Sequence, residues 1–167
     1  MPLSSTFLQA IFAQETDEVL ICLVTIVHES NPNAIYRFSS DPTTRIDNDL
    51  PRYATFSRGN WYEFVPFDAI PPESGDDAPR GARLVISNVG RELVPLLRSV
   101  VGAPRCTLEL VLASDPETVQ MMQTGLEMLS YSLTEESIAI PLGYRSLVLE
   151  PYPAGSFTPN AFPGLFR

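Results

Sequence analysis

Val19-Leu20-Ile21-Cys22-Leu23-Val24-Thr25-Ile26-Val27 is the longest apolar run in this 167-residue chain. Nine residues suit a strand and fall far short of the ~20 that a membrane-spanning helix needs. The run does not alternate, so both of its faces are apolar. Such a strand belongs inside a sheet, covered on each side. The sequence around it follows from that placement. Upstream, Phe7, Leu8, Ile11 and Phe12 recur at helical spacing behind Ser4 and Ser5, either of which can cap, so a short helix is expected over 5–14. Downstream, an Asn/Pro turn over 28–33 leads to a hairpin partner over 34–39.

Further strands are expected over 53–56, 61–67, 83–89, 106–113, 126–133, 137–141 and 146–150. Pro66 marks an edge or bulge in the second of these. In 106–113, Cys106, Leu108, Leu110 and Leu112 point one way, and Thr107 and Glu109 the other. Residues 41–52 read as irregular, 71–79 as a Pro-rich loop, and 118–124 as a helical turn or loop carrying Met121 and Met122. A hairpin is expected near Glu135-Glu136. Leu93, Leu96, Leu97, Val100 and Val101 form the stripe of a second helix, with Pro95 near its first turn and Gly102 at its stop. Strands and helices do not alternate, which argues against a parallel nucleotide-binding sheet. The expected fold is mainly β: an antiparallel β-sandwich or open barrel flanked by two short helices. The body spans 1–150, and an extended Pro-rich C-terminal arm spans 151–167.

Composition narrows the chemistry. The 11 basic residues are all arginine and the acids number 20, for a net charge of −9. Without lysine there is no Schiff base and no P-loop. One histidine (His28) and two distant cysteines (Cys22 and Cys106) cannot build a zinc site without carboxylates. The acidity disfavours general nucleic-acid binding. Met1-Pro2-Leu3-Ser4-Ser5 lacks the basic region of a signal peptide, so the chain is expected to stay in the cytosol of the cell that makes it. Both cysteines are expected as buried thiols, with a disulfide as the alternative. His28 reads as a turn residue, since no nucleophile elbow accompanies it. Asp47-Asn48-Asp49 and Asp76-Asp77 read as solvated loops; neither opens a twelve-residue calcium loop. Gly59-Asn60-Trp61-Tyr62 could stack sugars or bases, but at strand spacing core or subunit contact is the expectation. The Met pair reads as packing. No catalytic residue, cofactor or metal ligand is assigned, and no enzymatic activity is expected.

Residues 151–167 differ from the rest. They hold four prolines, two glycines, no acid and one base, Arg167. They suit neither a helix nor a central strand, yet Phe157, Phe162, Leu165 and Phe166 should not sit together in water. Ordering seventeen backbone residues costs more than burying four side chains returns. The segment therefore needs a larger surface, either its own body or a neighbour's.

Four stretches now resemble one known family. They are Gly59-x-x-Tyr62-x-x-x-Pro66-Phe67; the 72–79 loop leading into Arg83-Leu84-x-Ile86-x-Asn88-Val89; Thr107-Leu108-Glu109-Leu110-Val111-Leu112-Ala113-x-Asp115-Pro116; and Pro151-x-Pro153-Ala154-Gly155-x-Phe157-Thr158-Pro159-x-x-Phe162-Pro163-Gly164-Leu165-Phe166. Together they resemble a bacteriophage minor tail protein family, long catalogued as a domain of unknown function and similar to distal tail and tail-tip hub proteins. The resemblance runs from about Val19 to the end, and the terminal motif is its most specific part. It implies a structural protein of the virion, made in the host cytoplasm and set at the tail tip. It further implies a homo-oligomeric ring, hexameric or alternatively trimeric, between the tail tube protein and the tail hub protein, with DNA only as passing cargo and no membrane insertion. The interface residues expected on that basis are Phe157, Pro159, Phe162, Pro163, Leu165 and Phe166, with Trp61 and Tyr62. The rival readings are an assembly chaperone absent from the virion, a tail-tip hydrolase, and a carbohydrate-binding module using Trp61 and Tyr62.

Overall fold

A computed structural model describes residues 4–28, 31–70, 81–87 and 103–144. The expected second helix, the 71–79 loop with Asp76 and Asp77, the strand over 146–150 and the arm over 151–167 lie outside the described residues. Among those described are one helix, α1 (Ser5–Phe12), and eleven strands: β1 (Leu20–His28), β2 (Asn31–Ser39), β3 (Thr44–Arg45), β4 (Tyr53–Ser57), β5 (Asn60–Phe64), β6 (Phe67–Ile70), β7 (Arg83–Ser87), β8 (Arg105–Leu112), β9 (Val119–Met128), β10 (Ser132–Leu133) and β11 (Ser137–Tyr144). The protein is mainly β. Its strands form one open mixed sheet in the order β3-β4-β5-β2-β1-β8-β9-β11-β7-β6, with β10 on β11.

The apolar run occupies the position its composition demands. β1 pairs antiparallel with β2 on one side and with β8 on the other. Val24 and Ile26 enter the main core, while Ile21 and Leu23 enter a second core with Tyr62 and Val111 on the opposite face. The main core draws Phe38 from β2, Cys106 and Leu108 from β8, and Leu126 and Met128 from β9. Against these it sets Leu84 and Ile86 of β7 and Ile138 and Ile140 of β11. Each fully buried Leu or Ile contributes about 1.5–3 kcal/mol.

β11 serves both halves of the sheet. Its residues 137–141 pair with β7, and Leu142, Gly143 and Tyr144 pair with β9. Pro141 sits at the switch, where its missing N–H is no loss, and its carbonyl accepts from the Leu129 N–H at 3.2 Å. The Leu142 N–H donates to the Ala82 carbonyl at 2.7 Å. This crossing leaves no room beside Gly81: a Cβ there would collide with the Leu142 carbonyl oxygen, whereas a Cβ on Gly143 would meet only the mobile end of the Leu129 side chain. Gly81→Ala is therefore expected to cost about 2 kcal/mol or more, because backbone must shift. Gly143→Ala should cost clearly less. Chemical unfolding of the two variants checks this, and equal midpoints would contradict the close approach.

Several expectations are refined. The strand expected over 61–67 is two strands in different places, since β5 lies beside β2 and β6 beside β7. The chain crosses between them at Val65 and Pro66: the Val65 N–H donates to the Ser39 carbonyl and the Ser87 N–H to the Pro66 carbonyl. Residues 118–124, expected as a turn or loop, belong to β9, held by β8 through a ladder with two irregularities. Residues 126–133 are the end of β9 and, separately, β10. The hairpin near Glu135-Glu136 is present as β10–β11. An all-antiparallel sheet was expected, but β2 and β5 are parallel. The chain continues past β2 into β3, turns into β4, and returns through β5 into the space beside β2.

Helix α1 begins where its cap predicts. The Ser4 hydroxyl accepts the Phe7 N–H at 3.1 Å, and the Ser4 N–H donates to Gln120 Oε1 of β9 at 3.1 Å. Phe7 is buried, while Leu8, Ile11 and Phe12 are exposed.

Candidate functional site

The β4–β5 hairpin gathers the residues of interest. Its two-residue turn is Arg58-Gly59, with φ of 48° and 75°. Positive φ at both positions matches the twist of the flanking strands. Glycine adopts this freely; arginine does so at a cost of about 1–2 kcal/mol and needs holding. The Arg58 N–H donates to both carboxylate oxygens of Glu117, at 3.0 and 2.9 Å. The Arg58 guanidinium forms a two-pronged ion pair with Glu109 of β8, Nη1 to Oε1 at 2.9 Å and Nη2 to Oε2 at 2.5 Å. Its Nε donates to Ser57 Oγ, and Ser57 Oγ donates to the Pro116 carbonyl at 2.6 Å. The hydrogen bond to Glu109 holds the guanidinium proton more tightly than usual; partial burial opposes this, and the charge of Glu109 adds to it. The network fastens an edge hairpin to the middle of the sheet through β8 and the β8–β9 turn. Each charge is spent on the other, so the arrangement braces rather than reacts.

Strand parity then divides the two aromatic residues read from the sequence. Tyr62 faces the Arg58–Glu109 side and is buried with Ile21, Leu23 and Val111. Trp61 faces the other way and remains 51% exposed. It stacks on its cross-strand partner Phe56, with ring centroids 4.9 Å apart and planes tilted by 58°. Phe56 is exposed as well. The braced hairpin thus presents an aromatic pair to solvent on a stiff support, with Arg52 and Glu63 paired beside it.

A hydroxyl cluster with Ser39 and Thr55 buried and Thr43 exposed lies under the same region. Ser39 Oγ and Thr55 Oγ1 are 2.7 Å apart, and Thr43 Oγ1 lies 2.9 Å from Thr55 Oγ1. Ser39 and Thr55 also donate to the Asp41 carbonyl. These bonds satisfy polar side chains where β2, β4 and β5 meet. Farther along, an open cleft of about 570 Å³ is lined by Ser40, Phe64, Pro66, Phe67, Asp68, Val85, Ser87, Glu136 and Ser137.

The remaining candidates fall apart from one another. His28 closes β1. Asp47 folds onto its own loop, its carboxylate accepting the Asp49 N–H, while Arg45 donates to the Asp47 and Asn48 carbonyls. Cys22 and Cys106 are free thiols, and burial pushes both up to about 12. Met121 and Met122 point to opposite faces of β9 and are both exposed. Phe157, Pro159, Phe162, Pro163, Leu165 and Phe166 lie outside the described residues. Sequence reasoning missed Arg58, Glu109 and Phe56. An Arg-Gly pair between two short strands was the available signal for the first; a lone carboxylate in an apolar strand was the signal for the second.

No protein-family model matches the chain, and no curated protein matches it.

Proposed function

We propose that this protein is a structural subunit of a phage tail tip, without enzymatic activity, assembled as a ring that joins the tail tube to the hub or host-recognition apparatus. The fold that accompanies this reading is a sandwich or open barrel with helices on its flank and an arm formed by 151–167. The observation that carries the proposal is the Phe56–Trp61 pair, an aromatic surface left in water on a hairpin that is itself pinned to the sheet. The motifs between Gly59 and Phe67 and between Pro151 and Phe166, which resemble the minor tail proteins, supply the biological setting. A closed ring needs two different patches on each subunit that meet across every contact. The braced aromatic hairpin supplies one such patch, and the apolar segment with Phe157, Pro159, Phe162, Pro163, Leu165 and Phe166 supplies another.

Mass spectrometry of purified particles, with electron microscopy of the tail tip, tests the assignment. The chain should be present in the virion as a ring. Its absence would favour the assembly chaperone. Deleting residues 151–167 should leave a folded, soluble body that no longer joins particles; normal assembly of the truncated chain would exclude the arm. The exposed Trp61 favours one other reading, the carbohydrate-binding module. Glycan binding by the isolated protein, lost on Trp61→Ala, would move the assignment there.

A further inference from the structure

We propose that the cleft between the β5–β6 crossover and strands β7 and β11 is the seat for residues 151–167 of a second copy of this chain. The inference deepens the ring reading and rests on it. Phe64, Pro66, Phe67 and Val85 give the cleft an apolar wall, and Asp68 and Glu136 make it acidic; among the described residues no basic one lines it. Its volume of about 570 Å³ suits a few side chains of an extended segment, within the ~300–1,000 Å³ usual for binding clefts.

Charge selects the occupant. All twenty acids of the chain lie before residue 151, while 151–167 carries only Arg167. It carries no acid for the cleft to repel, and its prolines and phenylalanines match the Phe64-Pro66-Phe67 wall. Proline-rich segments dock on aromatic-lined grooves because little conformational freedom remains for them to lose. The ring reading selects the second copy, because each subunit of a closed ring meets a different patch on the next. β11 starts at Ser137, on the cleft, and ends at Tyr144, roughly 23 Å farther along at ~3.3 Å per residue. Twenty-three residues follow Tyr144 and can reach about 75 Å when extended, enough to span a neighbouring subunit.

Photo-crosslinking of the full-length protein tests this. Benzoylphenylalanine is incorporated at position 162, and this chain is mixed with ¹⁵N-labelled protein of natural sequence and irradiated. Adducts should join the two isotopes and map to residues 64–68, 85–87 or 136–137. In a second mixture the labelled chain carries Asp68→Arg and Glu136→Arg, both at exposed positions, and the mixed-isotope yield should fall about tenfold. Adducts confined to one isotope, adducts mapping to the β4–β5 hairpin, or a yield indifferent to the charge reversal would each overturn the cleft assignment and leave the ring reading intact. Absence of the protein from purified particles would overturn the tail-tip reading without touching the adduct map.

Discussion

Replacing Arg58 with alanine is expected to lower the unfolding free energy by about 3 kcal/mol. The reason lies in the imbalance of the pair. The Glu109 side chain is only 6% exposed, whereas that of Arg58 is 34% exposed. Removing the arginine strands a carboxylate under the sheet with no water to replace its two lost hydrogen bonds. It also leaves a residue with a Cβ in the left-handed turn position without the guanidinium that held it. Removing Glu109 instead leaves a guanidinium that water already reaches and screens, so Glu109→Ala should cost about 1–2 kcal/mol. Arg58→Lys should not rescue, since an ammonium cannot make the two parallel bonds. Combining Arg58→Ala with Glu109→Leu should recover most of the loss, because the second core beside Leu23 and Tyr62 can accept an apolar side chain. Urea unfolding of the four variants decides the matter. Equal costs for the two alanine variants would show that the brace does not work through a buried charge. If the proposed ring forms through this hairpin, the variant that loosens the turn also loosens the support under Phe56 and Trp61, and assembly of the ring should weaken even where the fold survives.

The parts of this architecture that could be read from sequence are those set by neighbouring residues. β1 is legible because an unbroken apolar run has only one home in a β protein, with cover on both faces. The start of α1 is legible because a serine hydroxyl needs only the amide three residues on. The β10–β11 hairpin is legible for the same local reason. What failed depends on distant partners. Val119 to Met128 is interrupted by Gly125 and Glu127, residues of weak strand preference, and becomes β9 only because β8 offers a ladder with two irregularities. Trp61 to Phe67 looks continuous because its apolar pattern runs across Pro66; only the separate sheet positions of β5 and β6 divide it. The parallel contact of β2 with β5 leaves no trace in either strand. The candidate site divides in the same way. Trp61 and Tyr62 were visible as a pair of aromatics, but which of them stays in water is a matter of parity, fixed by the register of β5 against β4 and β2. Arg58 gains its meaning from Glu109, 51 residues away.

Stability should also collapse in mild alkali, and the two cysteines give the sign and the window. Their thiols ordinarily lose a proton near 9.0, and in the folded protein burial raises both to about 12, with Cys22 adding to the effect on Cys106. Between those values the unfolded chain sheds a proton at each cysteine that the folded chain keeps. The unfolded state then binds fewer protons, so stability falls as pH rises. Each thiol contributes a loss of about 1.4 kcal/mol per pH unit. At pH 11 the two together cost about 5 kcal/mol, comparable to the whole stability of many small domains. Below pH 9 the loss vanishes, and the native thiols should resist alkylation at pH 8, because the thiolate that reacts is scarcely populated. Urea unfolding under reducing conditions, from pH 8 to 11, should show the decline. Cys22→Ala costs stability at every pH through lost packing and Cys106→Val through overpacking, but each should also remove about half of the slope. That change in slope, rather than any change in level, separates a titrating thiol from a merely well-packed one. A double variant whose stability falls as steeply as the natural chain would mean that other groups carry the alkaline transition.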